Sequence, residues 1–201
     1  MKKEKLSTRD LCITAIFTAL TAVLAQIAIP LPFTSSPISF GMVGLYISAI
    51  LLTPKCAVLS QICYLSLGAI GIPVFGGFKG GLAALLGPTG GYLAVYPLMA
   101  AIVSLALNSD KALCGKNSRQ WLFAKGSISI CIAHLILYIG GTTWLSISTG
   151  NTFLSCLSLA VFPFIPLDII KIIFCVTAII PLREHLIKLG ILSIPITNRG
   201  N

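Results

Sequence analysis

The chain has 201 residues, 56% hydrophobic and 9% charged, with a mean hydropathy of +0.99, a balance that excludes a soluble globular protein and indicates an integral membrane one. A net charge of +9 would suggest nucleic acid in a soluble chain, but here lysine and arginine sit at the ends of apolar segments, where they set orientation instead. A separate soluble domain needs on the order of 50 residues, and no polar stretch of that length occurs, so a single polytopic membrane domain over 1–201 is expected.

A membrane-spanning helix needs about 20 mainly apolar residues. Proline, glycine and charge divide the chain into six such segments, at roughly 11–29, 38–53, 55–72, 88–107, 122–146 and 167–187. The first follows a basic stretch, MKKEKLSTR, and its apolar run is too long for the core of a signal peptide, so it reads as a retained helix. On it Ala15 and Ala19 form an AxxxA motif that Thr18, Ala22, Thr21 and Ala25 continue as a close-packing face. Spacing does not say whether the helix packed there belongs to this chain or to a partner.

Between the third and fourth segments lies GAIGIPVFGGFKGGLAALLGPTGGY, Gly68 to Tyr92, dense in glycine and broken by Pro73 and Pro88. Backbone of this kind at membrane depth is tolerated only where it is buried in protein or lines a cavity. Phe75, Phe78, Tyr92 and Tyr96 would supply the aromatic walls of a small-molecule pocket. The other reading is that the glycines only let helices approach closely and that GPTGGY is a loop and helix cap. GGFKGG lacks the order of a nucleotide-binding loop.

Of the 14 basic residues, 12 fall on one side of a six-helix arrangement: Lys2, Lys3, Lys5, Arg9, Lys55, Lys111, Lys116, Arg119, Lys125, Arg183, Lys188 and Arg199. The positive-inside rule puts that side, with both termini, in the cytoplasm. The outer connections, Pro30 to Pro37, the glycine-rich stretch and Ser146 to Pro166, hold almost all the interruptions, so a binding site should open outward. No internal repeat supports an inverted-repeat transporter.

Among the five acids only Asp168 has an apolar context, and Lys171 follows three residues later in PLDIIKIIF, on the same helical face. An ionised group near mid-bilayer costs about 2.5 to 3.5 kcal/mol and faces an interior or a cavity. Lys171 offers an ammonium to a carboxylate, and Asp168 offers acceptors to N–H donors, which suits a small anion carrying a cyclic urea or amide. Alternatively Pro166 starts a helix, Asp168 complements its positive end and Lys171 neutralises Asp168. His134 and His185 are isolated and read as packed or helix-end residues. The seven cysteines form no CxxC pair or Cys/His cluster and read as apolar packing, with no metal site. With no nucleophile–base set, the chain is expected not to be an enzyme. The rival from that class would use Asp168 as a base and Lys171 as an electrophile on a lipid or small anion. A purely structural membrane subunit is the remaining alternative.

The glycine-rich segment together with PFIPLDIIK resembles the BioY family, the biotin-binding S-component of energy-coupling factor vitamin transporters, from Ala15 to about Pro181. The resemblance implies an all-α membrane protein of six transmembrane helices with the S-component fold and an outward-facing site. It also implies capture of biotin outside and its release inward, in the plasma or inner membrane. Riboflavin or thiamine is the alternative ligand. It implies as partners a transmembrane coupling subunit and two cytoplasmic ATPases. The chain itself carries no ATP motif and no cofactor. Carried over by position, Asp168 and Lys171 match the family's ligand-binding pair, and Thr89, Gly90, Gly91 and Tyr92 its central motif. Ala15 and Ala19 match the face that docks on the coupling subunit. Phe78 and Lys79 join the expected site from GGFKGG. The chain departs from the family at Gly41, where a glutamine is frequent, and lacks the basic residue some members place near GPTGGY. Lys79, where the family has other polar or small residues, offers a second partner for the carboxylate.

Overall fold

The computed structural model describes residues 7–29, 38–108 and 118–189. Helix α1, Thr8–Gln26, starts at a capping box in which the Ser7 hydroxyl accepts from the Arg9 N–H and the Asp10 carboxylate accepts from the Ser7 N–H. Within α1, Thr14, Thr18 and Thr21 each donate to the carbonyl four residues back, at 2.7, 2.9 and 2.9 Å, which satisfies their hydroxyls in an apolar setting. These threonines and Ala25 make up the buried face of α1, whereas Ala15 and Ala19 are exposed. The small-residue stripe read as one close-packing face is therefore two, and its AxxxA part touches no other described helix closely enough to be covered.

Helices α2, Gly41–Leu51, and α3, Pro54–Ala69, pack on that threonine face. Thr18 donates to the Ser60 carbonyl of α3 at 3.1 Å, and a Cβ at Gly44 would meet the α1 backbone at Thr21. A two-residue antiparallel ribbon, β1 (Ala28–Ile29) with β2 (Ile38–Ser39), joins the end of α1 to the start of α2 in the register Ala28↔Ser39. It is a small exception to the all-helical expectation. The connection expected between Pro30 and Pro37 lies outside the described residues.

The chain continues through α4 (Leu82–Leu86), α5 (Gly90–Ala94), α6 (Tyr96–Asn108), the long α7 (Ser118–Thr149), α8 (Phe153–Ala160) and α9 (Ile165–Phe174). A π-helical turn, Cys175–Ile179, leads into α10 (Ile180–Lys188). Pro181 accounts for that turn: it has no N–H for the Thr177 carbonyl and its ring would clash there, so the spacing widens just ahead of it.

Among the described residues, four stretches are long and apolar enough to cross a membrane: Thr8–Gln26, Gly90–Asn108, Gln120–Thr149 and Ile165–Ile187. The fourth expected segment is thus α5 and α6 together, and the sixth is α9 through α10. The second and third differ: α3 has 16 residues, and α2 has only 11 and is buried almost all round. Its hydrophobicity on every side reflects enclosure by other helices. Tyr46, Ile50, Met99, Val103, Leu107, Ile130, Leu137 and Ile180 pack about α2, α6 and α7 as the core.

Candidate functional site

The glycine-rich segment leaves α3 and returns upon it. Phe75 and Lys79 exchange both backbone hydrogen bonds, at 2.9 and 3.2 Å, and the Gly81 N–H donates to the Gly68 carbonyl at 2.7 Å. Gln26, at the end of α1, holds the turn: its Oε1 accepts from the Phe78 N–H at 2.9 Å and its Nε2 donates to the Pro73 carbonyl at 3.3 Å. Phe78 itself takes a left-handed φ of 58°, which is uncommon for a residue with a bulky side chain.

Two glycines then let α5 and α7 interlock. The Trp144 side chain occupies the place a Cβ on Gly91 would take, and the Tyr92 ring does the same at Gly141. Hydrogen bonds fix both rings, from Trp144 Nε1 to the Gly87 carbonyl at 2.9 Å and between Tyr92 Oη and Thr142 Oγ1 at 3.1 Å.

Beside this interlock lies a cavity of about 120 Å³ with an open mouth. Tyr64, Phe75, Tyr92, Tyr96, Tyr138 and Phe164 give it aromatic walls, with Ser39, Met42, Lys79, Thr89, Asp168 and Lys171 also reaching it. Tyr64 stacks on Tyr96 at 6.2 Å and meets Phe75 edge to face at 5.5 Å, so the walls brace one another. Its mixture of aromatic surface with few polar groups is that of a small-molecule site.

Two charges lie deep in it. Asp168 and Lys171 are 3% and 6% exposed, and Lys171 Nζ donates to Asp168 Oδ1 at 3.0 Å. The other carboxylate oxygen, Oδ2, accepts from Tyr138 Oη at 2.8 Å and lies 3.2 Å from His134 Nε2. The ring of Phe40 is 5.9 Å from Lys171 Nζ, within cation–π range. Lys171 therefore has two N–H groups and Asp168 one acceptor position, on Oδ1, not used within the described residues.

The structure thus brings together Asp168, Lys171, Lys79, Thr89 and Tyr92 of the expected set. It does not bring Gly90, Gly91 or Phe78 to the cavity. Gly90 is buried against the Leu85 backbone and Gly91 against Trp144, so these two glycines serve close packing. Phe78 points out, 72% exposed, and Phe75 takes its place as the aromatic wall of that turn. Ala15 and Ala19 lie on the outer side of α1 and do not line the cavity.

His134 is packed, as expected, but it is not isolated: it is joined to Asp168 and, through Nδ1, to Tyr46 Oη at 2.9 Å. One signal was available: His134 and Tyr138 are four residues apart and so share a face of α7. Tyr46 is 88 positions from His134 and only the tertiary fold pairs them.

Residues 1–188 match the BioY family. A probable biotin transporter BioY of Pyrococcus horikoshii is 36% identical over 81% of this chain and 89% of its own length. The biotin transporter BioY of Thermotoga maritima is 36% identical over 87% of this chain and 95% of its own. Among solved structures, the S-component for biotin from an ECF-type ABC transporter superposes with a TM-score of 0.78 at 29% identity, over 88% of this chain and 91% of that one.

Proposed function

Because the chain belongs to the BioY family, we propose that it binds biotin as the membrane S-component of an energy-coupling factor transporter and serves biotin uptake. It is a transporter component and not an enzyme. The names of its relatives favour biotin over riboflavin or thiamine. One observation carries the reading: the buried Asp168–Lys171 pair presents, side by side in a cavity, an unused acceptor on Oδ1 and unused N–H donors on Nζ. The edge of a cyclic urea is the complement of such a pair, with its carbonyl next to an N–H. A carboxylate in the same place would meet Lys171 but be repelled by Asp168. The ureido ring therefore sits at Asp168 and Lys171, and the valerate chain runs between Thr89, Tyr92 and the other walls. Its carboxylate meets Lys79, which lines the cavity yet is exposed, as a residue at the mouth would be.

The wider arrangement follows the family. A single membrane domain spans 1–201, its six apolar segments cross or fill the plasma or inner membrane, and both termini are cytoplasmic. The cavity lies among the N-terminal ends of α2 and α6, the end away from most basic residues, so it faces outward. Ala15 and Ala19 meet a transmembrane coupling subunit, and two cytoplasmic ATPases of the same transporter supply the energy, with no cofactor in this chain.

Equilibrium binding of biotin to the purified protein in detergent tests the reading, with Asp168→Asn beside it. Tight binding by the unsubstituted protein, lost by at least 100-fold in a monodisperse Asp168→Asn variant, is the expected result; a loss of that size is about 2.7 kcal/mol. No binding of biotin by well-folded protein would overturn it.

A further inference from the structure

Behind the cavity a chain of hydrogen bonds crosses three helices, from Tyr46 on α2 to His134 on α7 to Asp168 on α9, with Tyr138 joining at the carboxylate. Neither Tyr46 nor His134 lines the cavity, and they are 0% and 5% exposed. The rings are ordered as well as bonded: His134 stacks on Tyr46 at 6.4 Å and meets Tyr138 edge to face at 4.6 Å.

Proton accounting selects one arrangement. Among the described residues the Tyr46 hydroxyl has no partner besides His134 Nδ1, so it donates there. Nδ1 is then an acceptor, the ring is neutral, and its hydrogen is on Nε2, directed at Asp168 Oδ2. An imidazolium would donate from both nitrogens and leave the buried Tyr46 hydrogen without a partner among the described residues, which costs about 1 to 3 kcal/mol. With His134 and Tyr138 both on Oδ2, that oxygen is filled and the carboxylate plane is fixed, leaving only the lone pair on Oδ1 beside Lys171.

We infer that His134, held as a neutral Nε2–H donor by Tyr46, is a positioning residue for ligand selection: it aims Asp168 so that the site accepts one N–H lying next to a carbonyl. The inference rests on the biotin reading above. It makes the cavity discriminate against a ligand of the same shape whose ureido N–H is missing, because the aimed lone pair would then be buried without a donor.

The test compares biotin with cyclic-carbamate analogues in which an oxygen replaces one or the other ureido N–H at nearly the same shape, using the full chain in detergent. The unsubstituted protein should prefer biotin by about 100-fold or more. His134→Leu should lose about tenfold in biotin affinity with little change for the carbamate that lacks the N–H facing Asp168. His134→Gln, which keeps a neutral N–H donor at the end of its side chain, should recover much of the preference. Tyr46→Phe, which removes one hydroxyl and keeps the ring, should fall between them and guards against a misfolded His134→Leu. In the ligand-free protein, ¹⁵N chemical shifts of His134, assigned against a His185→Asn variant, should report a neutral ring with the proton on Nε2. A preference that His134→Leu and Tyr46→Phe both leave unchanged, or an Nδ1–H or doubly protonated ring, would overturn the inference while leaving the biotin site intact. Absence of biotin binding by the unsubstituted protein would overturn the biotin reading and this role with it.

Discussion

The last membrane segment buries two cations, Lys171 at 6% exposure and Arg183 at 2%, and they are partnered in opposite ways, although Arg183 Nε has no hydrogen-bond partner among the described residues. Arg183 is directed at carbonyls. Its Nη1 donates to Ile50, and Nη2 donates to Leu107 at 3.4 Å and to the Asn108 side chain at 2.9 Å. Asn108 in turn donates to the Leu52 carbonyl at 3.3 Å. These groups close the C-terminal ends of α2 and α6, where carbonyls lack helical partners and the helix dipole is negative. Lys171 has instead one hydrogen-bond partner among the described residues, Asp168, and lines a cavity formed at the N-terminal ends of the same helices, near Met42 and Tyr96, with two N–H groups unused there. A buried cation matched to helix-end carbonyls holds the bundle together, whereas one left partly unmatched beside a cavity is available to a ligand.

Substituting each cation separates the two roles, and Arg183→Met should have the larger effect. It strands at least two carbonyls, at about 1 to 3 kcal/mol each, so stability should fall by about 3 kcal/mol. The melting temperature and the monodisperse fraction in detergent would show it, while the folded remainder should bind biotin within about twofold of normal. Arg183→Lys should recover only part, because a point charge cannot span carbonyls on two helices as the guanidinium fork does. Lys171→Met should do the reverse. Asp168 keeps its bonds from His134 and Tyr138, which lowers the cost of leaving its charge without a cation, and in the folded fraction biotin affinity should drop about 100-fold, or about 2.7 kcal/mol. Equal destabilisation by both substitutions, with no selective loss of binding, would erase the contrast.

The same contrast explains what the sequence could disclose. Lys171 was legible because an acid and a base three residues apart in an apolar run must face inward together. Arg183 was not: next to Glu184 and His185 it reads as a charge at the membrane boundary, and only the fold turns it onto two helix ends. Apolar length located the helices well, α1 and α7 above all, but did not reveal that α2 is short and enclosed. The glycine-rich segment correctly marked the cavity, yet its composition could not assign each glycine. Gly91 and Gly141 make room for aromatic rings carried on the facing helix, a pairing that local sequence does not encode.

Lys79 extends the comparison to an exposed cation at the mouth. Its partner would be the biotin carboxylate, in contact with water, so its contribution should be about 1 kcal/mol or less. Lys79→Met should therefore weaken biotin about fivefold, far less than Lys171→Met. The loss should also depend on salt, since exposed charges are screened over about 10 Å at 0.1 M ionic strength and buried ones much less. Binding curves at low and high salt should converge for the variant and its parent. A salt-independent loss as large as that of Lys171→Met would place the carboxylate deep and reverse the proposed orientation.

The smallest effect on binding is expected where no charge is buried at all. Ala15 and Ala19 stand exposed on α1, on the side away from the threonines that face α2 and α3. Enlarging both to leucine adds apolar atoms without entering the core, so melting temperature and biotin affinity should stay within about 0.5 kcal/mol of the parent. A helix packed there by small residues would be pushed away, because such contacts depend on close backbone approach. Uptake of radiolabelled biotin by cells carrying the whole transporter should then fall while biotin binding in detergent persists. Loss of binding instead would mean that α1 is coupled to the cavity, for which Gln26 supplies a physical route through the Phe78 and Pro73 backbone.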